Sequence, residues 1–327
     1  MDFRTEVKIE PQRRLIDYST PVMFIGSCFS GEMASKMKEG LMPVLSNPTG
    51  VVYNPVSVSS ALRSLIAGKI FTEDDLWFHN GKWLSFAHYT DFSDDDRDIC
   101  LERINRVASE ASGFIKRTGF LFITFGTARI YRRVDTGEAV SNCHKIPASF
   151  FSRELLSVSS IVKDWSELIE ELYRFNPDLS VIFTISPVRH WKDGAHGNQV
   201  SKSVLFLAVE ELQKIFPATR YFPSYELLLD DLRDYRFYAD DMLHPSDAAT
   251  DYIWKKFSGA CLDSGAGRLW KEISEISKAS RHRITSRSGK EIESFADTML
   301  GRIKKLESAG YGVDLSSLRE YFLSLKH

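Results

Sequence analysis

The sequence predicts an α/β domain, a parallel sheet covered by helices. Three observations predict it. The runs "VMFI" (22–25), "FLFITF" (120–125) and "SVIFTIS" (180–186) are short and unbroken in hydrophobicity, as strands buried on both faces are. Between them lie stretches with helical periodicity, the alternation expected of βαβ units. The chain has 327 residues, enough for one large domain or one domain with an appendage, and its apolar and charged fractions are those of an ordinary globule.

Each element follows in order. Val22–Ile25 is the first strand, and residues 30–40 are the helix after it, closed by Gly40. Pro55–Ala67 is a second helix. In "LWFHNGKWLSF" (76–86) the pair Asn80-Gly81 between alternating aromatics predicts a hairpin, with Trp77, Phe78, Trp83, Phe86 and Tyr89 packing on it. Arg97–Lys116 is an amphipathic helix leading into strand 120–125. A second hairpin over 129–140 turns at Asp135–Gly137. Ser152–Phe175 is one long helix that must stop before Pro177. Strand 180–186 is followed by a polar loop and the helix Ser201–Ile215, and 220–228 holds the last strand. Ser246–Cys261 is a helix capped by Ser246 or Asp247. The acidic clusters at 94–96, 230–231 and 240–241 read as solvated turns. Beyond "LDSGAGR" the chain carries only charged helical patterns, broken by "RITSRSG" and "GYGVDLSS". The expected organisation is a domain over 1–262 and a helical extension over 263–327.

A net charge of −2 gives no electrostatic reason to expect nucleic acid or an anionic membrane as partner. No apolar window is long enough to span a bilayer. The start, "MDFRTEVKIEPQRR", lacks an apolar signal core, and Cys28, Cys100, Cys143 and Cys261 form no CxxC pair. A cytoplasmic protein with reduced thiols is expected. Cys143 and His144 are adjacent, but with Cys28 and His244 they lack the local spacing of zinc ligands; neither metal nor cofactor is expected.

Two stretches carry chemistry. In "VMFIGSCFSGEM" a strand ends at Gly26 and delivers Ser27 and Cys28 to the start of a helix. Gly permits a tight turn, and the helix N-terminus offers free N–H groups and a positive dipole. Those groups can hold an oxyanion and favour a thiolate. Alone, the stretch reads first as a small residue and a buried Cys packing at a strand end, ahead of a catalytic turn. In "YADDMLHPSDAATDYIWKKF" (238–257), Asp241 lies three residues before His244, and Pro245 keeps His244 out of the following helix. On that loop Asp241 can reach the imidazole Nδ1, leaving Nε2 as a general base.

With "GSCFS", "FITFGTARIY", "VSNCHKIP", "SPVRHWKDGAHGNQVSKS" and "YFPSYELLLDDLRDYRFYADDMLHPSDAATDYIW", the sequence resembles the GSCFA family over about residues 3–260. That family is placed in the SGNH (GDSL-like) hydrolase superfamily. The resemblance implies a flavodoxin-like three-layer α/β/α sandwich and a hydrolase. The superfamily's Gly, Asp and nucleophilic Ser fall on Gly26, Ser27 and Cys28, which puts Cys28 in the nucleophile's place and Ser27 in a supporting one. Asp241 and His244 match its DxxH as orienter and base. For the oxyanion hole the resemblance offers the Gly50 N–H and Gly126. The Asn expected after Gly126 is missing from "FGTARIY", and Asn142 is the candidate replacement.

At the carboxyl end of strand 180–186, Arg189 and His190 are candidate substrate-binding residues, with structural roles equally open. The loop after them, with Asp193, Asn198, Gln199 and Lys202, reads as a lid or as ordinary surface. The resulting expectation is an ester hydrolase or acyltransferase forming a covalent acyl-enzyme on a small-molecule or carbohydrate acyl substrate. Two alternatives stand beside it: a binding module that kept the fold without turnover, and Ser27 as the nucleophile.

Overall fold

The computed structural model describes residues 5–281 and 289–326. In chain order, β1 (Val22–Gly26) leads to α1 (Cys28–Glu39), β2 (Val44–Ser46) and α2 (Pro55–Ile66). The hairpin β3 (Trp77–His79) and β4 (Lys82–Leu84) precedes α3 (Arg97–Ile115) and β5 (Phe120–Phe125). Next come β6 (Arg129–Arg133), β7 (Ala139–Val140), β8 (Phe151–Leu155) and α4 (Val158–Phe175). Then β9 (Ser180–Ile185), α5 (Gly194–Ile215), β10 (Arg220–Tyr221), the one-turn α6 (Ser224–Glu226) and α7 (Asp247–Cys261) complete the α/β part. Helices α8 (Ser264–Arg281), α9 (Gly289–Ser308) and α10 (Ser316–Ser324) follow. No helix among the described residues is long and apolar enough to cross a membrane.

The main sheet is parallel throughout, in the order β10-β9-β5-β1-β2. Counted among its own five strands, that order is 2-1-3-4-5 from the β2 edge, the flavodoxin-like arrangement. Alternate strand residues feed two cores. Met23, Ile25, Leu121, Ile123, Phe125, Val181 and Phe183 face the layer formed by α2, α3, α4 and α5. Val22, Phe24, Phe120, Phe122 and Ile182 face α1 and α7. The register Phe24↔Phe122 stacks the two rings with centroids 4.8 Å apart. On the other face Trp165 packs edge-on to Phe125 and Phe183.

Both hairpins form where expected. Asn80 and Gly81 both have positive φ, as a two-residue turn of this hand requires. The second hairpin gains a strand: residues 151–155 are not the start of the long helix but β8, paired with β6 along five residues. Tertiary pairing overrides the helical pattern here, and Ser157 caps α4 by accepting the Ser160 N–H. Helix α5 starts at Gly194 rather than 201, so most of the supposed loop is helix. The last strand shrinks to two residues, because Pro223 follows and the chain turns into α6.

Two other expectations change. Asp231 is buried, accepting hydrogen bonds from Tyr252 Oη and the Val7 N–H, and is no solvated turn. Gly40 does not end α1 with a left-handed residue; its φ is −95°. Its missing side chain instead admits Trp270, whose ring would lie 2.1 Å from a Cβ at that position. The Trp270 Nε1–H donates to the Lys36 carbonyl, and the ring meets Trp254 at 4.8 Å, so α8 docks against α1 and α7. Leu269, Ile273, Ile303, Leu318 and Phe322 form a separate small core among the last three helices. The break expected at 283–289 lies, but for Gly289, outside the described residues.

Gly26 has φ +133° and passes so close to β5 that a Cβ would sit 2.1 Å from the Thr124 carbonyl oxygen. Gly26→Ala is therefore expected to cost about 3 kcal/mol or more, from an inaccessible backbone conformation plus overpacking. Gly31, inside α1 with open space around it, is the control. There Ala should stabilise by about 0.5–1 kcal/mol. Urea midpoints of the two variants decide; equal effects would remove the constraint placed on Gly26.

Candidate active site

The carboxyl ends of β1, β5 and β9 converge where the strand order reverses, the usual site of ligand crevices in such sheets. At the end of β1 the turn is braced on both sides. The Gly26 N–H donates to Asn47 Oδ1 (2.8 Å) and the Ser27 N–H to the Thr124 carbonyl (3.1 Å). Ser27 is the N-cap of α1 in extended conformation, but its side chain makes no capping bond. Its buried Oγ has no hydrogen-bond partner, so the supporting bonds expected of Ser27 are absent here.

Cys28 is the first residue of α1 and half-buried. Burial pushes its thiol above the usual cysteine value, while the backbone N–H groups of Phe29 and of Cys28 itself pull the other way. Glu32, one turn on, adds to the rise and Lys202 opposes it. Burial thus opposes the thiolate that the helix terminus favours.

The loop before α7 forms the expected pair. His244 Nδ1 lies 2.5 Å from Asp241 Oδ2, while Asp241 Oδ1 accepts the Leu243 and His244 N–H groups at 2.9 Å each. These bonds hold the Asp241 carboxyl down at about 2. Met242 takes a positive φ of 59°, which folds the loop back so that carboxylate and imidazole meet. About half of the His244 side chain is exposed, and the ring's one hydrogen-bond partner among the described residues is Asp241. No hydrogen bond joins it to Cys28.

Beside Asp241 opens a cavity of about 590 Å³ lined by Arg189, Trp191, Tyr235, Tyr238, Met242 and Leu243 among others. Arg189 Nε is buried there without a hydrogen-bond partner. His190 is held by the bond from its N–H to Asn198 Oδ1 (2.9 Å), with its ring tilted against Tyr53 at 6.4 Å. The stretch after them is anchored and is no free lid. Asp193 is gripped by Arg153 and faces Arg129 at 3.6 Å, while Asn198 and Lys202 are buried on the inner face of α5.

The oxyanion-hole candidates are already engaged. The Gly50 N–H donates to the Asn47 carbonyl (2.8 Å) and the Gly126 N–H to the Tyr53 carbonyl (2.7 Å). Asn142 donates to Thr90 Oγ1 (2.9 Å) and accepts the His144 N–H (3.0 Å). Beside the Cys28 thiol stand the N–H groups of Phe29 and of Cys28 itself. His144, adjacent to Cys143, spends its Nε2 on the Ser85 carbonyl at 2.9 Å.

Of two further residues at the site, Tyr53 was not singled out by sequence, and Lys202 was read only as part of the polar loop. Gly126 lets the Tyr53 backbone cross the end of β5, and the Tyr53 hydroxyl, pushed up to about 12 mainly by burial, feels the charge of Cys28. Lys202 is wholly buried, with Nζ donating to the Ser186 carbonyl at 2.7 Å, and it too is coupled to Cys28. Burial brings its ammonium down to about 7. The available signal was the spacing Asn198-x-x-x-Lys202, which puts both on one face of a helix.

Fold and site define a three-layer α/β/α protein with a cysteine heading its first core helix and an Asp–His pair before its last. The chain belongs to the GSCFA family, whose model matches residues 21–257. Among solved structures it is similar to a Streptococcus pneumonia protein assigned as a platelet activating factor, at 12% identity and a TM-score of 0.37, covering 74% of this chain and 83% of that one. It is also similar to a carbohydrate esterase family 3 structure from Talaromyces cellulolyticus (8%, TM-score 0.36, 78% and 99% covered). A third is the acetyl xylan esterase Est2A from Butyrivibrio proteoclasticus (10%, TM-score 0.37, 76% and 64%). Likenesses this distant carry no chemistry to this chain. No curated protein matches it.

The four thiols differ in access: Cys28 and Cys143 are half-buried, Cys100 and Cys261 buried. Iodoacetamide should label Cys28 first and Cys143 more slowly, with Cys100 and Cys261 reacting only after unfolding, as read by peptide mass spectrometry. Four equal rates would reduce Cys28 to a packing residue.

Proposed function

We propose that the protein is an acyl-ester hydrolase or acyltransferase that works through a covalent acyl-enzyme on Cys28, with His244 as base and Asp241 as its orienter. The observation that carries this reading is the 2.5 Å contact between Asp241 and His244 Nδ1 on the loop that precedes α7. A carboxylate there places the ring proton on Nδ1 and leaves Nε2 as the acceptor. A pure binding site has no use for such an arrangement.

In the reaction His244 Nε2 takes the proton of the Cys28 thiol, and the resulting thiolate attacks the ester carbonyl carbon. A C–S bond forms, and the carbonyl oxygen becomes an oxyanion beside the N–H groups of Cys28 and Phe29. Collapse expels the alcohol, which takes a proton from His244. Water then attacks the thioester, giving its proton to Nε2, and the acid leaves with the thiol restored. An acceptor hydroxyl in place of water turns hydrolysis into transfer. The cavity beside Asp241 suits an acylated carbohydrate: Trp191, Tyr235 and Tyr238 offer flat apolar faces, and Arg189 and Asp234 offer polar groups among them.

One observation favours the binding-module reading instead, the engagement of the Gly50 and Asn142 donors elsewhere. Pre-steady-state turnover of p-nitrophenyl acetate separates the two. The expected result is a burst, with the acetyl group found on Cys28 by mass spectrometry. Cys28→Ala should abolish it, and Ser27→Ala should leave a reduced one. His244→Ala should lower kcat/KM by about 10²–10⁴-fold. Acetyl found on Ser27, with turnover surviving in Cys28→Ala, would make Ser27 the nucleophile; no acyl-enzyme at all would favour binding alone.

A further inference from the structure

Partly buried arginines elsewhere in the chain have an acceptor. Arg63 holds Asp164 at 2.6 Å, Arg103 holds Asp94 at 2.8 Å, and Arg302 sits between Glu272 and Glu275 at 2.7 Å from each. Arg189, which lines the cavity beside Asp241, has none. Its Nε is buried without a hydrogen-bond partner, and no carboxylate among the described residues pairs with it. The acidic groups of the cavity are already taken. Asp241 is bound to His244, and Asp234 Oδ2 lies 3.2 Å from the Arg236 Nε. A charged donor kept from water without an acceptor is costly, so the gap calls for an acceptor carried in by a ligand.

The surroundings narrow what that ligand is. The backbone that carries Arg189 is fixed, because the Trp191 N–H donates to its carbonyl at 3.1 Å and the His190 N–H to Asn198 Oδ1 at 2.9 Å. Trp191, Tyr235 and Tyr238 line the same cavity and offer flat faces to a ring. Asp234 and Asp241 line it too, and hydrogen bonds hold the Asp241 carboxyl at about 2, ionised at any ordinary pH. A dianionic phosphate would face both acidic groups. A carboxylate brings a single charge and two oxygens that match the guanidinium fork.

We propose that Arg189 is the anchor for a substrate carboxylate, so that the ester taken by this site is carried on an acidic sugar, a uronate. The Nε–H and one Nη–H donate to the two carboxylate oxygens, and the sugar ring lies against the aromatic faces. This rests on the reading of the cavity as the seat of an acylated carbohydrate, and it names the class. No bond is made or broken at Arg189. Asp241, Met242 and Leu243 form another part of the cavity wall, so the anchored sugar lies beside the loop that presents His244.

The test measures binding without turnover and stands apart from the question of an acyl-enzyme. Methyl glucuronide and methyl galacturonide are titrated into the full chain by calorimetry, beside the neutral methyl glucoside and galactoside. At least one uronide should bind about tenfold or more tightly than its neutral parent, as hydrogen bonds to a charged group allow. Arg189→Met should remove that difference. Arg189→Lys, which keeps the charge and loses the fork, should restore part of it. Equal binding of acidic and neutral sugars, or binding of none, overturns the proposal, as does a difference that survives in folded Arg189→Met. Glucose 6-phosphate should bind more weakly than the better uronide; tighter binding would assign the site to phosphate and overturn the carboxylate. Should Arg189→Met not fold by circular dichroism, the 15N resonance of the Arg189 Nε in wild type decides. It should shift on adding the uronide and not on adding the neutral sugar, and an unmoved resonance overturns the proposal. Uronide binding by a protein that forms no acyl-enzyme would keep the anion site and sink the hydrolase reading alone.

Discussion

The site depends on how closely β1 and β5 run at their carboxyl ends. Gly26 lies against the Thr124 carbonyl at a distance no side chain allows, and the Ser27 N–H continues that pairing one residue past the strand. The chain must therefore leave the sheet at that point and in that direction, and α1 begins with Cys28 over the edge. The reversal of strand order between β1 and β5 leaves this edge open above the sheet, because α1 and the helices after β5 depart to opposite faces. The position of Cys28 is set by backbone sterics.

Electrostatics at that edge are set by what is dry and what is wet. The Asp241–His244 pair stands in solvent and holds together through a turn of the backbone, three acceptor bonds and one residue in left-handed conformation. Cys28, Tyr53 and Lys202 stand in the protein, where desolvation is the largest influence on each. The same side chains placed on the surface would titrate near their ordinary values and could be read as chemistry or as decoration.

Much of the fold was legible because long apolar strands and strongly periodic helices decide themselves locally. Val22–Ile25, Phe120–Phe125 and Ser180–Ile185 appear as expected, as do both hairpin turns, whose Asn80-Gly81 and Asp135–Gly137 carry their own conformational preferences. What was not legible depends on partners far away in sequence. Residues 151–155 become a strand because β6 is there to pair with, and Gly40 is empty of side chain because Trp270 needs the room. At the site, the Asp241–His244 geometry was readable from a spacing of three and a proline. The engaged N–H groups of Gly50 and Gly126 were not, since each is satisfied by a carbonyl whose approach only the folded loops determine. Lys202 was misplaced because the polar run before it disguised the first two turns of α5.

The docking of Trp270 has a consequence for what counts as a removable part of this protein. Helix α1 spans 12 residues, about 18 Å, with the cysteine at one end and the Trp270 notch at the other. Its last carbonyls are satisfied from outside the α/β layers, by the Trp270 indole at Lys36 and by the Tyr18 hydroxyl at Gly40 (2.7 Å). A chain ended before α8 would leave Trp254 bare on one side, a slot beside Gly40 open to water, and the far end of α1 with an orphaned acceptor. The C-terminal helices therefore serve as a keystone for α1, and evolutionary trimming or fusion at residue 263 would have to rebuild that joint with another aromatic donor.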